Sequence, residues 1–324
     1  MTLHRRGLLA LTAGALAAPR LARAAWAPDR PISFQVGFPP GGNIDYVARL
    51  LAKELTPRLG QSVVVENRTG ASGNLATQAM LRAPADGHTI GFAAIHLATN
   101  PFLVPLGYDP AEIDPLTQIG DVPVLFLAST ASGLRDVAAA VAAAKEAKGD
   151  ITFSSGGIGT SSHLAAELFA RRAGFTFTHV PFRGGGPSMQ ALLAGQTALS
   201  FTVAEAAIPE NVAAGKIRGL AVMQRERLAA MPDMPSIAEA GYGPEVFISS
   251  WHGVMLRAGT PQPARERLFA AIADAVRGPE MVQGLRRAAI EPAVSESPAA
   301  FKAFVQSETE RWGKVIREAG ITAQ

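Results

Sequence analysis

Apolar runs with the two-residue period of strands alternate along this chain with segments whose apolar residues recur every three or four positions, as in amphipathic helices. The first unit is the apolar run 32–38, after which Ile44, Val47, Leu51 and Leu55 share one face of a helix. A chain that repeats strand and helix in this order forms parallel strands joined by helices. The pattern therefore predicts an α/β fold with a mostly parallel sheet.

The alternation continues to residue 319 and gives bounds for each element. We expect the first helix to end at Thr56-Pro57, because proline lacks the backbone donor that continues a helix. Further strands are predicted at 62–66, 89–94, 122–128, 151–154, 176–180, 198–203, 219–223 and 246–256. Further helices are predicted at 74–82, 137–147, 164–172, 188–194, 263–277, 280–288 and 298–319.

A change of pattern near residue 120 divides the chain into two sets of units. The apolar strand 122–128 leaves the first set, a second set follows to about residue 245, and the strand 246–256 returns. We expect one lobe formed by residues 25–123 with 246–324 and another formed by residues 124–245. The two crossing strands would then form the hinge between the lobes.

Two glycine-rich loops, 38–45 and 154–163, each follow a predicted strand and open a predicted helix. The unpaired N–H groups and the positive dipole end at a helix N-terminus favour a carboxylate or a phosphate. One such loop is common, but here one loop lies in each expected lobe. The pair predicts a cleft that closes on an anion, with a third glycine loop, 181–187, beside it.

Each notable residue of these loops also has a purely structural explanation. Asp45 could pair with Arg49 one helical turn later, and a hydroxyl of the second loop could cap its helix. His163 could bond a neighbouring hydroxyl or contact the ligand. Arg183 could pair with a ligand carboxylate, or face solvent or the other lobe. Both explanations stay open for each residue.

Composition and spacing argue against several other classes of site. The chain has no cysteine, which excludes disulfides and thiolate chemistry, and its histidines show no metal-binding spacing. Gly157-Ile158-Gly159 is part of a dinucleotide fingerprint, but Ser162 takes the place of the third glycine and no acid ends the next strand. We expect no catalysis, no metal and no cofactor, and an exported NAD(P)-dependent oxidoreductase is the alternative.

The first 24 residues have the pattern of an export signal. A basic segment, 4–6, precedes a short apolar segment, 7–18, and Ala22-Arg23-Ala24 is a cleavage motif, so the mature chain is expected to begin near Ala25. Arg5-Arg6 fits both a twin-arginine signal and an ordinary secretory one. The expected location is the periplasm.

Removal of this signal changes what the charge implies. The chain has 30 basic and 27 acidic residues, and the signal takes four arginines and no acid, which leaves 26 basic residues and a net charge of −1. A nearly neutral chain gives no electrostatic reason to expect binding to nucleic acid.

Short motifs, in their order and spacing along almost the whole mature chain, resemble the periplasmic solute-binding proteins of tripartite tricarboxylate transporters, the Bug family. The motifs are Pro28-Asp29-Arg30-Pro31-Ile32, Phe38-Pro39-Pro40-Gly41-Gly42 with Asp45, Glu66-Asn67-Arg68 with Gly70-Ala71, Ala85-Asp86-Gly87-His88-Thr89, Ser154-Ser155-Gly156 with Gly159, His163-Leu164, Val180-Pro181-Phe182-Arg183-Gly184, Gly215-Lys216-Ile217-Arg218 and Gly259-Thr260-Pro261.

The resemblance implies a two-lobed binding protein of the Venus flytrap type that grips a small organic carboxylate, such as a di- or tricarboxylate or an aromatic acid. It would deliver the ligand to the membrane subunits of the transporter as a monomer, and presentation to a sensor kinase stays an alternative. Family members often carry Asp where this chain has Ala198 and Thr202, so an amine-selecting acid is expected to be absent and amino-acid ligands are disfavoured. The residues expected at the ligand are Phe38, Pro40, Gly41, Gly42, Asn43, Asp45, Ser154, Ser155, Gly157, Gly159, Thr160, His163, Arg183, Gly184 and Thr202.

Overall fold

Strands and helices alternate through residues 26–322, which the computed structural model describes. The expected export signal, its arginine pair and the cleavage motif lie outside the described residues. The strands are β1 (Ile32–Val36), β2 (Val63–Asn67), β3 (Thr89–Ala94), β4 (Ile113–Ser129), β5 (Thr152–Ser155), β6 (Thr178–Pro181), β7 (Leu199–Val203), β8 (Ile217–Val222), β9 (Ser249–Arg257) and β10 (Glu291–Pro292). The α-helices are α1 (Asn43–Leu59), α2 (Asn74–Arg82), α3 (His96–Leu103), α4 (Val137–Ala147), α5 (Ser161–Ala173), α6 (Gly185–Leu193), α7 (Ala207–Ala213), α8 (Gln262–Arg277), α9 (Pro279–Arg287) and α10 (Pro298–Ala319).

The sheet has the strand order β2-β1-β3-β9-β4-β7-β5-β6, with β8 and β10 also paired to β4. The outer strands of each half are parallel, as predicted, but β9 and β4 pair antiparallel with their neighbours. The direction changes there because these two strands carry the chain from one half to the other and back. The architecture is a two-lobed α/β fold with a two-strand connection, and each half of the sheet is mixed.

Strand β4 belongs to both halves of the sheet. Its residues 113–123 pair with β9, and its residues 124–129 pair with β7 and β8. Alternate side chains of the second part enter different cores, since strand side chains point to opposite faces. Phe126 joins the cluster that contains Phe153, Phe169 and Phe201, whereas Leu125 packs with the helices on the other face.

Helix α10 contacts both halves. Phe301 near its N-terminus packs against Trp251 of β9, with ring centroids 5.6 Å apart. Trp312 in its second half is buried in the same cluster as Phe126, and Arg171 of α5 donates to the carbonyl of Glu318 at 2.9 Å. The predicted lobe boundaries assign this helix to the first lobe alone, and those boundaries stay a prediction.

Helices α5 and α6 each begin three residues before their predicted starts, and three further helical features differ from the sequence prediction. Helix α1 continues through Pro57 to Leu59, because the carbonyl of Lys53 that loses its partner lies on the exposed side, and Gly60 then ends the helix with a φ of 72°. Helix α3 was not predicted, since most of its residues are buried and it shows no one-sided apolar stripe. The short helix α7 was also not predicted.

Phe126 stacks on Phe201 with centroids 4.4 Å apart and is fully buried. Phe126→Ala should therefore lower the free energy of unfolding by about 3–5 kcal/mol, because it leaves a cavity between the aromatic rings. Val64→Ala, at a side chain that is 49% exposed, should change it by less than about 0.5 kcal/mol. Urea unfolding of the purified variants measures both, and equal midpoints would contradict the packing described here.

Candidate functional site

A cavity of about 150 Å³ lies where the carboxyl ends of β1, β3, β5, β6 and β7 meet between the two halves of the sheet. Ligands of open α/β sheets bind at this edge of the strands. The walls combine backbone from the glycine loops with small hydroxyl side chains and two imidazoles. They are formed by Phe38, Pro39, Pro40, Gly42, Asn43, Ile44, Ala94, Ile95, His96, Gly156, Thr160, Ser161, Ser162, Gly184, Gly185, Gly186, Pro187, Thr202, Val203, Glu205, Ser250 and His252.

Four helices begin at the cavity wall: α1, α3, α5 and α6. Their N-cap residues are Gly42, Ile95, Thr160 and Gly184, and none of the four makes a side-chain capping hydrogen bond. First-turn N–H groups and four positive dipole ends therefore converge on one small volume. No lysine or arginine is among the described residues that line it. The arrangement can hold an anion without a cationic side chain.

The hydroxyls of loop 154–163 mostly hold the loop itself together. The Thr160 hydroxyl donates to the Gly157 carbonyl at 2.6 Å, and Ser162 Oγ accepts the Gly156 N–H at 3.0 Å. Ser155 Oγ lies 2.7 Å from Nε2 of His179. Local hydrogen bonding, the structural explanation, therefore describes these three hydroxyls, and Thr160, Ser161 and Ser162 also line the cavity.

The backbone donors that a carboxylate was expected to use are largely engaged within the protein. The N–H of Gly41 donates to Asp45 Oδ2 at 2.9 Å, and the N–H of Gly159 donates to His163 Nδ1 at 3.2 Å. The N–H of Thr160 donates to Gly157 at 3.3 Å. Gly159 also has a φ of 76°, and a Cβ there would come within 2.7 Å of Leu103. The structure thus gives Gly159 a role in the turn and in packing against Leu103.

Asp45 is buried and has a structural role. Its carboxylate accepts from Gly41, from Arg49 Nε at 2.9 Å and from Asn67 Nδ2 at 2.9 Å. Burial alone would raise the pKa of Asp45, but the hydrogen bonds, that of Arg49 first, outweigh it and lower the pKa. The carboxylate therefore stays ionised and fixes the first glycine loop.

The structure brings only part of the expected set to the cavity wall. The expected residues that line it are Phe38, Pro40, Gly42, Asn43, Thr160, Gly184 and Thr202. Gly157 and Arg183 line an adjoining depression, where Arg183 is exposed. The residues that line neither space are Gly41, Asp45, Ser154, Ser155, Gly159 and His163; Gly41 is exposed, and the other five are buried.

Four polar side chains at the wall were not expected: Glu205, His96, His252 and Ser250. Burial raises the pKa of Glu205 to about 7, although the backbone N–H of Asn43 acts in the opposite direction. Burial lowers the pKa of His96 to about 4 and that of His252 to about 3, so both imidazoles are neutral. Nδ1 of each imidazole is buried without a hydrogen-bond partner within residues 26–322. Glu205 lies two residues beyond β7. The expectation that no acid faces the cleft considered only Ala198 and Thr202 and therefore overlooked Glu205.

Comparisons with known proteins agree with this geometry. The sequence pattern of the tripartite tricarboxylate transporter family receptor, TctC, matches residues 47–321. BugT of Bordetella pertussis is 33% identical over 321 residues, which cover 97% of this chain and 96% of that protein. No group of three or more His, Asp or Glu side chains in the described part of the chain could hold a metal ion.

Two solved structures from Rhodopseudomonas palustris match the fold along most of the chain. Rpa4515 with adipate has a TM-score of 0.87 at 33% identity, with 92% of this chain and 99% of that chain covered. MatC with bound malate has a TM-score of 0.82 at 29% identity, with 89% and 99% covered. The motif resemblance is confirmed, and the chain belongs to the TctC family of periplasmic solute-binding proteins, which includes the Bug proteins.

Proposed function

We propose that this protein captures a small organic carboxylate in the cavity and delivers it to the membrane subunits of a tripartite tricarboxylate transporter. The observation that carries the proposal is the convergence of four helix N-termini, without side-chain caps, on one small cavity. A carboxylate there accepts N–H bonds and interacts favourably with each dipole. The ligands in the two solved relatives, adipate and malate, are of this class.

The size of the cavity favours a small acid. Pockets that hold drug-sized ligands are typically about 300–1,000 Å³, whereas this one is about 150 Å³. A dinucleotide would not fit without wide opening of the two halves. Glycines 157 and 159 both take left-handed φ values in the turn before α5. A dinucleotide fingerprint would also need a third glycine, where this chain has Ser162, and an acid after the next strand.

Contacts between the halves support a ligand-stabilised closed form. Asn43 Nδ2 donates to the carbonyl of Ala204, and Ser72 Oγ donates to the carbonyl of Ile158 at 3.2 Å. The cavity walls also come from both halves, so a bound anion contacts both. Ligand binding then favours the closed arrangement by its extra contacts, and this form is the one we expect the membrane subunits to recognise.

The periplasmic location of the protein and the cleavage of its leader are part of the proposal. Membership in a family of periplasmic binding proteins supports that location, as does the leader pattern of the first 24 residues. No helix among the described residues is long and apolar enough to span a membrane.

Purified protein should bind adipate or L-malate with a Kd in the micromolar range or below. At 100 times Kd such a ligand adds about 2.7 kcal/mol of apparent stability, which raises the melting temperature. Calorimetric titration measures the Kd, and thermal shift measures the rise in melting temperature. The same measurements with NAD test the oxidoreductase alternative. Binding of NAD without binding of any carboxylate in a panel of mono- and dicarboxylates would contradict the proposal.

Thr202 is buried at the cavity wall beside Gly185, and Thr202→Asp should weaken dicarboxylate binding at least tenfold. A tenfold change corresponds to about 1.4 kcal/mol, and a like charge placed next to the ligand opposes it by at least that amount. Thr202→Asn is the control, since it has nearly the same shape and no charge. Calorimetry on variants with native circular dichroism should find the larger loss in the aspartate variant, and equal losses would mean that the ligand carboxylate lies elsewhere.

The exported protein should have its N-terminus near Ala25. Cleavage after Ala22-Arg23-Ala24 follows from the signal pattern. Intact mass measurement of protein from the periplasmic fraction gives the start, and export that fails after Arg5-Arg6 is changed to Lys-Lys assigns it to the twin-arginine route. Full-length protein retained in the cytoplasm would refute both cleavage and location.

A further inference from the structure

Glu205 is the one carboxyl group among the described residues that line the cavity. It lies two residues beyond β7 and faces the first turns of two helices. The backbone N–H of Asn43 in α1 interacts with it. A Cβ added to Gly185, the first residue of α6, would overlap its Oε1. Any residue other than glycine at position 185 would displace the Glu205 carboxyl group from the wall.

No lysine or arginine among the described residues lines the cavity at Glu205. The other titratable groups that line the cavity are His96 and His252, and burial keeps the pKa of each well below 7, so both are neutral. Asp45, on the same turn of α1 as Asn43, is ionised and engaged by Arg49. Neither β7 nor α6 contributes a charged side chain to the wall. Burial therefore dominates and raises the pKa of Glu205 to about 7.

A ligand carboxylate would be the second carboxyl group in a cavity of about 150 Å³. Two carboxylates that share a desolvated site repel each other, and the pair retains one proton to a higher pH than either group alone. A hydrogen bond between the two groups also requires a proton on one of them. An ionised carboxylate only accepts, whereas a protonated carboxyl group can donate to a carboxylate.

Resting on the proposed function, we infer that Glu205 takes up a proton when a carboxylate binds and donates a hydrogen bond to that ligand. Above the pKa of free Glu205, one proton enters from solvent for each ligand bound. Glu205 is then a specificity-determining residue that admits a carboxylate without a fixed cation. The competing assignment is an ionised Glu205 that selects an ammonium group, but four helix N-termini at the wall disfavour a cation there.

The sign of the pH dependence follows from this coupling. Below the pKa of free Glu205 the proton is already present, so the affinity for a carboxylate is highest there. Above it each binding event takes up a proton, and Kd rises with pH, approaching about tenfold per pH unit well above that pKa. Ionisation of the ligand does not interfere above about pH 6.5, since carboxyl groups titrate near pH 4.

The test is calorimetric titration of the wild-type protein with adipate and with L-malate between pH 6.5 and pH 8.5, in phosphate and in Tris. The two buffers have very different protonation enthalpies, so the difference in measured heat gives the number of protons taken up. Glu205→Gln keeps the shape and a donor but cannot titrate. Glu210→Gln, at an exposed residue of α7, is the matched control for removal of a carboxyl group.

We expect proton uptake approaching one per ligand above pH 7 in the wild-type and Glu210→Gln proteins, and a Kd that rises with pH in both. Glu205→Gln should bind the same acid with no uptake and an almost constant Kd. Binding without proton uptake in the wild-type protein would overturn this inference and leave the proposed function intact. So would tighter binding of L-aspartate than of L-malate that is lost in Glu205→Gln. Failure of every carboxylate to bind at any pH would overturn the proposed function and this inference with it.

Discussion

The convergence of four helix N-termini on one cavity is the constraint on which the rest of the site depends. The positive ends of four helix dipoles border this cavity, and no lysine or arginine is among the described residues of its wall. Such a volume favours negative charge even where individual N–H groups are already bonded, as that of Thr160 is. A frame keeps these helix ends around the cavity. It consists of the glycine loops, the hydroxyls of loop 154–163 that bond within the loop, and the hydrogen bonds of Asp45.

That frame depends in turn on the strands that join the two halves. Strand β4 runs 17 residues and pairs on one side of residue 123 with β9 and on the other with β7 and β8. Its alternating side chains enter two different cores, so the strand cannot slip by one residue without exchanging them. Thr202 of β7 and Glu205 just beyond it are thereby held beside Gly185 of α6 in the same half, and Glu205 is also held beside Asn43 of α1 in the other half.

How much the sequence predicts depends on whether the signal is local. Helices α2, α4 and α10 and strand β3 were predicted with the bounds that the structure has, because clear periodicity or flanking glycine and proline residues delimit them. The two glycine loops were correctly predicted to meet at one cleft. Helix α3 and Glu205 were missed for a different reason. A helix buried on nearly all sides has no amphipathic stripe, and the role of Glu205 depends on which helix ends surround it, which no local pattern contains.

The contact of α10 with both halves has a mechanical consequence. If the halves rotate about β4 and β9, the contacts of α10 must slide or strain, with Trp251 and Phe301 at one end and Trp312 at the other. Helix α10 then opposes rotation about the hinge through contacts that lie away from the cavity. Apparent affinity scales with the fraction of molecules in the binding-competent state. The resistance of α10 to this rotation therefore sets the affinity, although α10 does not contact the ligand. Evolution could thus retune the threshold concentration for uptake in α10 while it leaves the chemistry of the cavity unchanged.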